Sequence, residues 1–548
     1  MSLISRSFVP SRNLLTKGVR YNGSQGLSKW KKPFEESSQQ LIGKPFLDTV
    51  TPGEPYSSPL DGKLLTYSPI SDTPEIYAQK VQKALDAGKQ LQQISADRLA
   101  LYHSFVVQET QKLHDPFCAA ITAVTGTVPK ESSNEVQEMK NSFMVSLGMP
   151  AVFTKEQSIE HPDPEKMGKI VRVPRNLAAQ WKPSNFFSIV TKWSAISNGC
   201  GVPMVVLASS KAGSDITLAL LDGFLRKTIT KFNHDFPGKP LPVDMLVPIY
   251  AGQQNGATLG QLMAADESNQ IAIFTGSTSV GQAVVKTAAQ RGIPVLGEWE
   301  GGNNGIVLDQ SYVDKHGIDA VVAEVYDSAF GRMGQRCTST GALYVSGNCS
   351  DFKVKLLEYH QHFCQNSIGD PNDSKTVLAT PFTHDVREEM FELKQAVLQL
   401  GAAVYGGDIP QMADYLQQGA WVTPLIIVLP KEMDTKEEEK LLSKKLFGPV
   451  LFVKEVSDTY EGIKELNKRP HRLAAAVASY NEDHINRSYR DLGQFGVLNV
   501  GFAHTTRAAL FFGFQGNLLS GFASEGASNL DIWKYFCFRQ NMNIRNNK

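Results

Sequence analysis

The chain has 548 residues, of which 42% are hydrophobic and 20% are charged, and its 55 basic side chains balance 55 acidic ones. That length is too great for one simple core, and the composition is ordinary for a globular enzyme of two or more domains. Because the charges balance, the chain has no net electrostatic attraction to nucleic acid. No apolar run approaches the roughly 18 residues of a membrane-spanning helix. We therefore expect neither nucleic acid nor membrane as a partner.

The first 35 residues differ from the rest in composition. Serines and short apolar groups alternate there with seven basic residues that precede the first acidic residue, Glu35: Arg6, Arg12, Lys17, Arg20, Lys29, Lys31 and Lys32. An Arg- and Ser-rich leader without acids is typical of a mitochondrial transit peptide. We predict such a leader over residues 1–35 and a location in the mitochondrial matrix, with a disordered basic tail as the alternative.

After the leader, helix-like and strand-like segments alternate. Residues 73–113 carry apolar groups at helical spacing, and the short apolar runs 204–208 and 271–274 each precede a helix-like segment. Such alternation predicts an α/β fold with a parallel sheet. A further run, 305–308, begins a second α/β region.

Two stretches look unlike the core. Residues 155–180 are charged and interrupted by prolines, and the tail from about residue 528 ends in an aromatic, strand-like segment. Apolar strands at chain ends often pair with another subunit. We predict that these stretches form a small strand-built oligomerisation element of a homodimer or homotetramer.

The segment QIAIFTGSTSVGQAVVKTAA predicts a strand, a turn from Gly276 to Gly281 and a helix. Free amides at the start of the helix, the helix dipole and the Ser277 hydroxyl would make an anion site suited to a pyrophosphate. The spacing is not GxGxxG, so an ordinary connection between a strand and a helix is the alternative.

The six cysteines form no CxxC pair, which argues against a disulfide framework and a zinc knuckle. Cys337, in RMGQRCTST, has small neighbours that let a substrate approach, and Arg336 beside it can favour the thiolate. Cys337 is therefore a candidate nucleophile for a carbonyl, with a buried inert cysteine as the alternative. Asn185, which follows Pro183-Ser184, could donate to an oxyanion or simply cap a turn.

Together these segments resemble the aldehyde dehydrogenase superfamily, and its antiquitin-like branch in particular, from about residue 60 to 540. The resemblance rests on the order of SNFFSIVTKW, FTGSTSVG, EGGNNGIVL, GQRCTST, LFGPVLFV and the ending FGVLNV through FASEGASNLDIWKYF. It implies a Rossmann-like cofactor domain over 36–300 with an oligomerisation hairpin near 155–180, and an α/β catalytic domain over 301–510. Residues 511–548 would return to the cofactor domain and end in an oligomerisation strand.

The resemblance also implies roles for individual residues. Cys337 would attack an aldehyde, Asn185 and the Cys337 amide would hold the oxyanion, and hydride would pass to NAD or NADP. Gly276, Ser277 and Gly281 would lie at the pyrophosphate and Phe447 against the nicotinamide ribose. No metal is implied.

The branch acts on a semialdehyde that bears a carboxylate. By residue match, Arg336 would anchor this carboxylate, because the planar guanidinium pairs bidentately with it. Glu138 would hold the amino end of the substrate. A structural salt bridge is the alternative role for Arg336.

One departure from the family pattern concerns the general base. Trp299 stands where the family has its base glutamate, and alternation along a strand turns Glu298 and Glu300 to the opposite face. Either an irregular strand brings one of them back or the base is missing. We retain Glu298 as the catalytic candidate.

Two further departures concern the cofactor. Ala208 replaces the lysine that grips the adenosine ribose, and Lys211 is the nearest substitute. Lys445 replaces the glutamate that accepts the nicotinamide ribose hydroxyls, which a cation cannot do. Both ribose contacts are therefore changed.

The sequence supports two functions. The first is NAD(P)-dependent oxidation of an aldehyde to the acid through a Cys337 thiohemiacetal and thioester. The alternative is a catalytically impaired relative with a scaffolding or binding role. Release of the acyl group to coenzyme A would tolerate loss of the base, but nothing else in the sequence indicates it.

Overall fold

The structure, a computed structural model, describes residues 26–148, 157–160, 166–252, 255–347, 349–443, 445–506, 516–522 and 532–545. Residues 1–25 of the predicted leader and parts of both predicted oligomerisation segments lie outside the described residues. The predicted end of the leader at residue 35 is wrong, because Trp30 and Phe34 are buried in the core and α1 begins at Lys31.

The helices, in chain order, are α1 Lys31–Ile42, α2 Pro74–Leu91, α3 Ala96–Lys112, α4 His114–Thr125, α5 Pro129–Ser146, α6 Ser188–Gly199, α7 Ser214–Asp235, α8 Gly256–Ala265, α9 Thr278–Ala289, α10 Gln310–His316, α11 Ile318–Phe330, α12 Ser350–Asn366, α13 His384–Gln399, α14 Thr435–Ser443, α15 Thr459–Asn467 and α16 Glu482–Asp491.

The strands are β1 Pro52–Ser57, β2 Leu64–Pro69, β3 Gln157–Glu160, β4 Lys166–Pro174, β5 Ala178–Trp181, β6 Met204–Ser209, β7 Leu246–Gly252, β8 Ile271–Gly276, β9 Val295–Trp299, β10 Asn304–Leu308, β11 Thr340–Ser346, β12 Ala403–Gly406, β13 Leu425–Val428, β14 Val450–Val456, β15 His471–Arg472, β16 Ala474–Ala478, β17 Val497–Val500, β18 Asn517–Leu518, β19 Gly521–Phe522 and β20 Cys537–Arg545.

The predicted helical stretch 73–113 forms two helices, α2 and α3. The Thr73 hydroxyl accepts a hydrogen bond from the Ile76 amide and caps α2, and the Ser95 hydroxyl caps α3 in the same way through Arg98. A side-chain oxygen at this position satisfies an amide that the helix leaves unpaired. The helical periodicity is thus confirmed, and the Ser95 cap marks the start of α3 at Ala96.

A six-stranded sheet, in the order β19-β9-β8-β5-β6-β7, is parallel except for β19. Alternate side chains of β6 enter two different cores: Val206 packs with α6 and α7, whereas Val205 packs with α8 and α9. Cover on both faces explains why these strands are continuous apolar runs. The β8–α9 turn lies at the carboxyl edge of this sheet.

A seven-stranded sheet, in the order β12-β13-β14-β11-β10-β16-β17, is parallel except for β12. It has its own core, in which β10 and β11 pack against α11, α12 and α15. Strand β10 follows β9 after only four residues, 300–303, so the chain passes directly from one sheet to the other. Residues 331–339 lead from α11 into β11 at this junction. The predicted α/β class is confirmed.

A third sheet has the order β20-β4-β3 and is antiparallel. It joins the two stretches predicted to mediate oligomerisation, because β4 lies within 155–180 and β20 lies in the C-terminal tail. Their role between subunits stays a prediction. Within the described ranges, no helix is long and apolar enough to cross a membrane.

Candidate active site

The backbone before Cys337 forms a strained turn, Gly331–Gly334. Arg332 and Met333 have φ of 55° and 54° there, in the left-handed region that non-glycine residues rarely adopt. Gly334 has φ of 64° and packs so closely on Gly448 that a Cβ would collide with the Gly448 carbonyl. The left-handed backbone persists because the surrounding structure holds it, as is typical of functional sites.

The carbonyl groups that follow this turn point into the fold. The Asn304 side-chain amide donates to the Cys337 carbonyl at 2.7 Å and the Ser339 carbonyl at 3.1 Å. The Thr505 hydroxyl donates to the Thr338 carbonyl at 2.7 Å. These bonds fix the loop that carries the thiol.

The Cys337 thiol is half-buried at the junction of the two sheets. Burial raises the pKa of this thiol to about 11, and the charge of Lys445 opposes that rise. The amides of Thr338 and Cys337 itself also lower this pKa, because they donate to the sulfur. The backbone thus presents two N–H groups beside the candidate nucleophile, where an oxyanion would form.

Asn185 lies next to this loop, immediately before α6. One N–H of its side-chain amide donates to the Gln335 carbonyl at 3.0 Å. An asparagine amide carries two donor hydrogens, so the second remains for an oxyanion. The structure therefore brings Asn185 and Cys337 together as the sequence predicts.

A buried ion pair ties Asn185 to the Cys337 loop. The Arg332 guanidinium contacts the Glu135 carboxylate and also donates to the Asn185 carbonyl at 2.6 Å. The other Glu135 oxygen accepts the Phe187 amide at 2.9 Å and the Ser188 amide at 3.3 Å, which caps α6. Glu135 thereby fixes the start of α6 and the strained turn at once.

We expect Arg332→Met to lower the free energy of unfolding by about 3–5 kcal/mol, because it leaves the Glu135 carboxylate buried without its counter-ion. Arg291 and Glu267 form an exposed pair at 2.9 Å and provide the control. Arg291→Met should cost no more than about 1 kcal/mol. Denaturant unfolding of both variants measures the difference, and equal losses would contradict the role given to Arg332.

Lys445 is bound to the same loop. Its ammonium donates to the Arg336 carbonyl at 3.0 Å, the Cys337 carbonyl at 3.4 Å and the Ser339 carbonyl at 3.0 Å. Burial lowers the pKa of Lys445 to about 8. The cation that acts on the thiol is therefore Lys445, whereas the sequence interpretation gave this role to Arg336.

Lys445→Met should slow alkylation of Cys337 by iodoacetamide about tenfold at neutral pH, because the thiolate loses the positive charge that favours it. Lys440→Met, on exposed α14, is the matched control and should leave the rate unchanged. Rates are followed by peptide mass spectrometry over a range of pH. An unaltered rate in Lys445→Met would rule out this electrostatic role.

Alternation along β9 sends Glu298 and Trp299 in opposite directions. Glu298 is buried, and burial raises the pKa of its carboxyl to about 7 while the Lys192 charge opposes the rise. The Glu298 charge in turn raises the pKa of the Cys337 thiol. Alternation thus separates Glu298 from Trp299 as expected, and the Glu298 charge acts on the Cys337 thiol. The role of Glu298 as the base stays a prediction.

The Trp299 indole lies over the first turn of α9. A Cβ on Gly281 would collide with its Nε1 atom, so only glycine permits this contact. Trp299 is buried, and its Nε1 has no hydrogen-bond partner among the described residues. The side chain at the family's base position therefore covers the predicted phosphate turn.

The Glu300 carboxylate lies at the N-terminus of α9. This carboxylate accepts the Thr278 amide at 3.3 Å, whereas Ser277, the residue before the helix, makes no capping bond with its side chain. A pyrophosphate at this turn would meet the Glu300 carboxylate. The backbone around Gly276 and Ser277 suits a phosphate, but the Glu300 and Trp299 side chains cover the place that a phosphate would take.

Arg336 is held by α5. One guanidinium nitrogen lies 2.8 Å and 2.6 Å from the two carboxylate oxygens of Glu131. This geometry supports the structural ion pair over the substrate anchor. Glu138, two turns further along α5, is exposed and accepts the Ser188 hydroxyl at 3.0 Å.

Three other positions bear on the predicted cofactor site: Ala208, Lys211 and Phe447. Ala208 is buried near the end of β6, and Lys211 is exposed just after that strand. Phe447 is half-buried beside Gly448, the residue that packs on Gly334. Their contacts with a dinucleotide stay predictions.

The sequence analysis allowed a salt bridge for Arg336 but did not identify Glu131 as its partner, and it did not predict the Arg332–Glu135 pair. Glu131, Glu135 and Glu138 are spaced four and three residues apart, which places them on one side of α5. Arg332 and Arg336 are likewise four residues apart. This pattern of three acids opposite two bases was the signal available in the sequence.

The site thus defines a class of protein: an α/β chain with a thiol, a side-chain amide and a buried carboxylate where a doubly wound sheet meets a second α/β unit. Residues 54–537 match the sequence model of the Aldehyde dehydrogenase family. The chain belongs to this family, and hence to the aldehyde dehydrogenase class of oxidoreductases.

Similar proteins agree with this assignment. The chain is 27% identical to a 2-hydroxymuconic semialdehyde dehydrogenase of Pseudomonas putida over 379 residues, 68% of this chain and 71% of the relative. It is 26% identical to aldehyde dehydrogenase family 7 member A1 of Pisum sativum over 434 residues, 78% of each chain. The predicted resemblance to the family and its antiquitin-like branch is confirmed.

Solved structures share the fold. Betaine aldehyde dehydrogenase of Staphylococcus aureus, determined in complex with NAD+, superposes with a TM-score of 0.77 at 17% identity and covers 94% of this chain and 98% of its own. At this identity the likeness shows the fold. It confirms the aldehyde dehydrogenase-like architecture.

Proposed function

We propose that this chain oxidises an aldehyde to the acid through a thiohemiacetal and a thioester on Cys337, with NAD or NADP as the hydride acceptor. The observation that carries the proposal is the shared placement of the Cys337 thiol, the Asn185 amide and the Glu298 carboxylate at one junction. Family membership and the NAD+ complex of the structural neighbour support the cofactor.

In the first step, the Cys337 thiol loses its proton to solvent, the thiolate sulfur bonds to the carbonyl carbon, and the carbonyl oxygen becomes an oxyanion. The free N–H of Asn185 and the backbone amides at Cys337 and Thr338 donate to this oxygen. One such donor typically contributes about 2.7–4 kcal/mol to the transition state. A bound nicotinamide would supply the hydride acceptor that oxidation of the adduct requires.

In the second step, water attacks the thioester carbon and the Glu298 carboxylate takes its proton. The carbon–sulfur bond breaks, the acid leaves and Cys337 is regenerated. A carboxyl with a pKa of about 7 is half ionised at neutral pH, which suits a group that accepts a proton and returns it. Glu298 thus replaces the base that the family carries at the position of Trp299.

The cofactor would be held by Gly276, Ser277, Gly281 and Phe447, with Lys211 near the adenosine end. Because Glu300 and Trp299 cover the α9 turn, they must leave it before a dinucleotide enters. We therefore propose weak dinucleotide binding in the arrangement described.

Titration with NAD and NADP, followed by mixing with aldehyde, tests the function. Reduced nicotinamide should appear with the chain as purified and be absent with Cys337→Ala. Dinucleotide binding without any reduction across a panel of aldehydes would refute oxidation. Absence of binding at millimolar cofactor would leave the alternative, a relative that binds or scaffolds without turnover.

Two further properties belong to the proposal. The basic residues before residue 26, Arg6, Arg12, Lys17 and Arg20, support delivery to the mitochondrial matrix, which fractionation of cells expressing a tagged chain tests. The β20-β4-β3 sheet supports a homodimer or homotetramer, because it joins both chain segments predicted to pair between subunits. Light scattering of the purified chain measures that state.

A further inference from the structure

A polar cavity of about 430 Å³ opens between the end of α15, strand β15 and the end of α16. Six residues line it, and two of them are arginines: Asn467, Arg472, Arg490, Asp491, Gly493 and Gln494. This set shares no residue with the site around Cys337, Asn185 and Glu298. The cavity is therefore separate from the thiol.

Arg472 brings a buried cation to this cavity. Only 7% of the residue is exposed. Its two terminal nitrogens donate to the Leu466 and Asn467 carbonyls, which are neutral acceptors at the end of α15. Burial lowers the pKa of Arg472, and no acid of the described ranges offsets that decrease. The guanidinium is thus held in place without a counter-ion from the described chain.

This guanidinium keeps donors for a ligand. Each terminal nitrogen carries two hydrogens, of which the carbonyls use one. The Nε atom is buried and has no hydrogen-bond partner among the residues that the structure describes. A buried donor without a partner is unusual in proteins, and an ion or water that binds there is one common explanation. The hydrogen bonds of Arg472 are therefore incomplete as well as its charge.

The rest of the lining leaves the cavity positively charged. Arg490, in the last turn of α16, is exposed and forms no ion pair with the described part of the chain. Asp491 is the acid of the lining, but its carboxylate contacts the guanidinium of Arg487. The charge of Asp491 is thus matched outside the cavity, and the charges of Arg472 and Arg490 remain.

We infer that this cavity binds a phosphate group, either as the free ion or as a phosphate monoester. Arg472 and Arg490 supply two guanidinium groups, whose planar forks pair with phosphate oxygens through two hydrogen bonds at once. The side-chain amides of Asn467 and Gln494 can add neutral donors. A volume of about 430 Å³ leaves room beyond one phosphate group, so the organic part of an ester can enter too. The site goes beyond aldehyde oxidation and depends on none of its steps.

Calorimetric titration of the purified chain tests the site without cofactor or aldehyde. Inorganic phosphate and glycerol 3-phosphate are the probes, glycerol is the neutral reference, and chloride keeps the ionic strength constant. We expect both phosphates to bind and glycerol not to bind. Tighter binding of glycerol 3-phosphate would identify an ester as the ligand, and equal binding would identify the free ion. Absence of binding by both at millimolar concentration would overturn the inference.

Variants of the lining distinguish this cavity from the β8–α9 turn, which phosphate can also reach. Arg490→Gln should weaken phosphate binding about tenfold, because it removes a charge-assisted hydrogen bond. Asp491→Asn should strengthen binding severalfold, because it removes the acid and leaves the Arg487 charge unmatched.

Arg490 is the better position for this test because it is exposed, whereas Arg472 also holds the end of α15. Arg291→Gln, which removes an exposed arginine of the six-stranded sheet unit, is the matched control and should bind phosphate like the parent chain. Phosphate binding that Arg490→Gln leaves unchanged would place the ion elsewhere and overturn the inference.

Discussion

Glu298→Gln should lower steady-state turnover by about 10²–10⁴-fold while leaving one rapid turnover per active site. The reason is that the thiol adduct and the thioester still form, but water loses the base that takes its proton. A burst of reduced nicotinamide, equal to the number of sites and followed by a very slow phase, is the expected trace. Rapid-mixing absorbance measures it.

The matched control is Glu267→Gln, which removes an exposed glutamate of the same sheet unit. It should retain full turnover. Unchanged steady-state activity in Glu298→Gln would show that another group activates water.

The same substitution should alter the pH dependence of activity and stability. Activity should rise with pH through about 7 in the parent chain and lose that rise in Glu298→Gln, since the ionised carboxylate is the base. Burial raises the folded-state pKa above the unfolded value of about 4.5, so ionisation destabilises the fold. The cost is absent below about pH 4.5 and complete above about pH 7. Glu298→Gln should therefore stabilise by about 3 kcal/mol at pH 8 and hardly at all near pH 4.5.

Glu300→Gln should strengthen dinucleotide binding about 10- to 100-fold. The carboxylate now takes the Thr278 amide at the positive end of α9, where a pyrophosphate would otherwise bind. Removing its charge ends the repulsion and weakens the competition, because a neutral amide oxygen is a poorer acceptor for the Thr278 amide than a carboxylate. Addition of Trp299→Ala should strengthen binding further, because it uncovers Gly281.

Calorimetric titration with NAD and NADP measures these affinities. Glu267→Gln again serves as the control, and its affinity should equal that of the parent chain. Trp299 is buried, so its removal can destabilise the chain, but Glu300→Gln alone suffices as a test. Equal or weaker binding in Glu300→Gln would show that Glu300 does not compete with the cofactor.

The parts of the site set by local sequence could be predicted. The β8–α9 turn follows from a short apolar run, a glycine and a helical pattern, and both sheets follow from the same alternation. Cys337 and Asn185 could be brought together only because their segments keep the family's order, since 151 positions separate them. Local chemistry alone did not distinguish Cys337 from a buried inert cysteine, or Asn185 from a residue that caps a turn.

The other features of the site could not be predicted, because they depend on contacts between segments that are distant in the sequence. Alternation correctly separated Glu298 from Trp299, but which face meets Cys337 is set by how β9 lies against α6 and α9. Arg336 looked available because its partner, Glu131, is 205 residues away. For Lys445, the sequence showed which hydrogen bonds a cation cannot accept, and the fold showed the three carbonyls that it binds instead.

The most direct test of the account is the intact mass of Glu298→Gln after incubation with NAD and an aldehyde that the parent chain oxidises. We expect a stable increase equal to the acyl group less the thiol hydrogen that it replaces, located on the peptide that contains Cys337 and absent when Cys337→Ala is added. An unmodified chain, or an acyl group on another residue, would contradict a thioester at Cys337 whose release depends on Glu298.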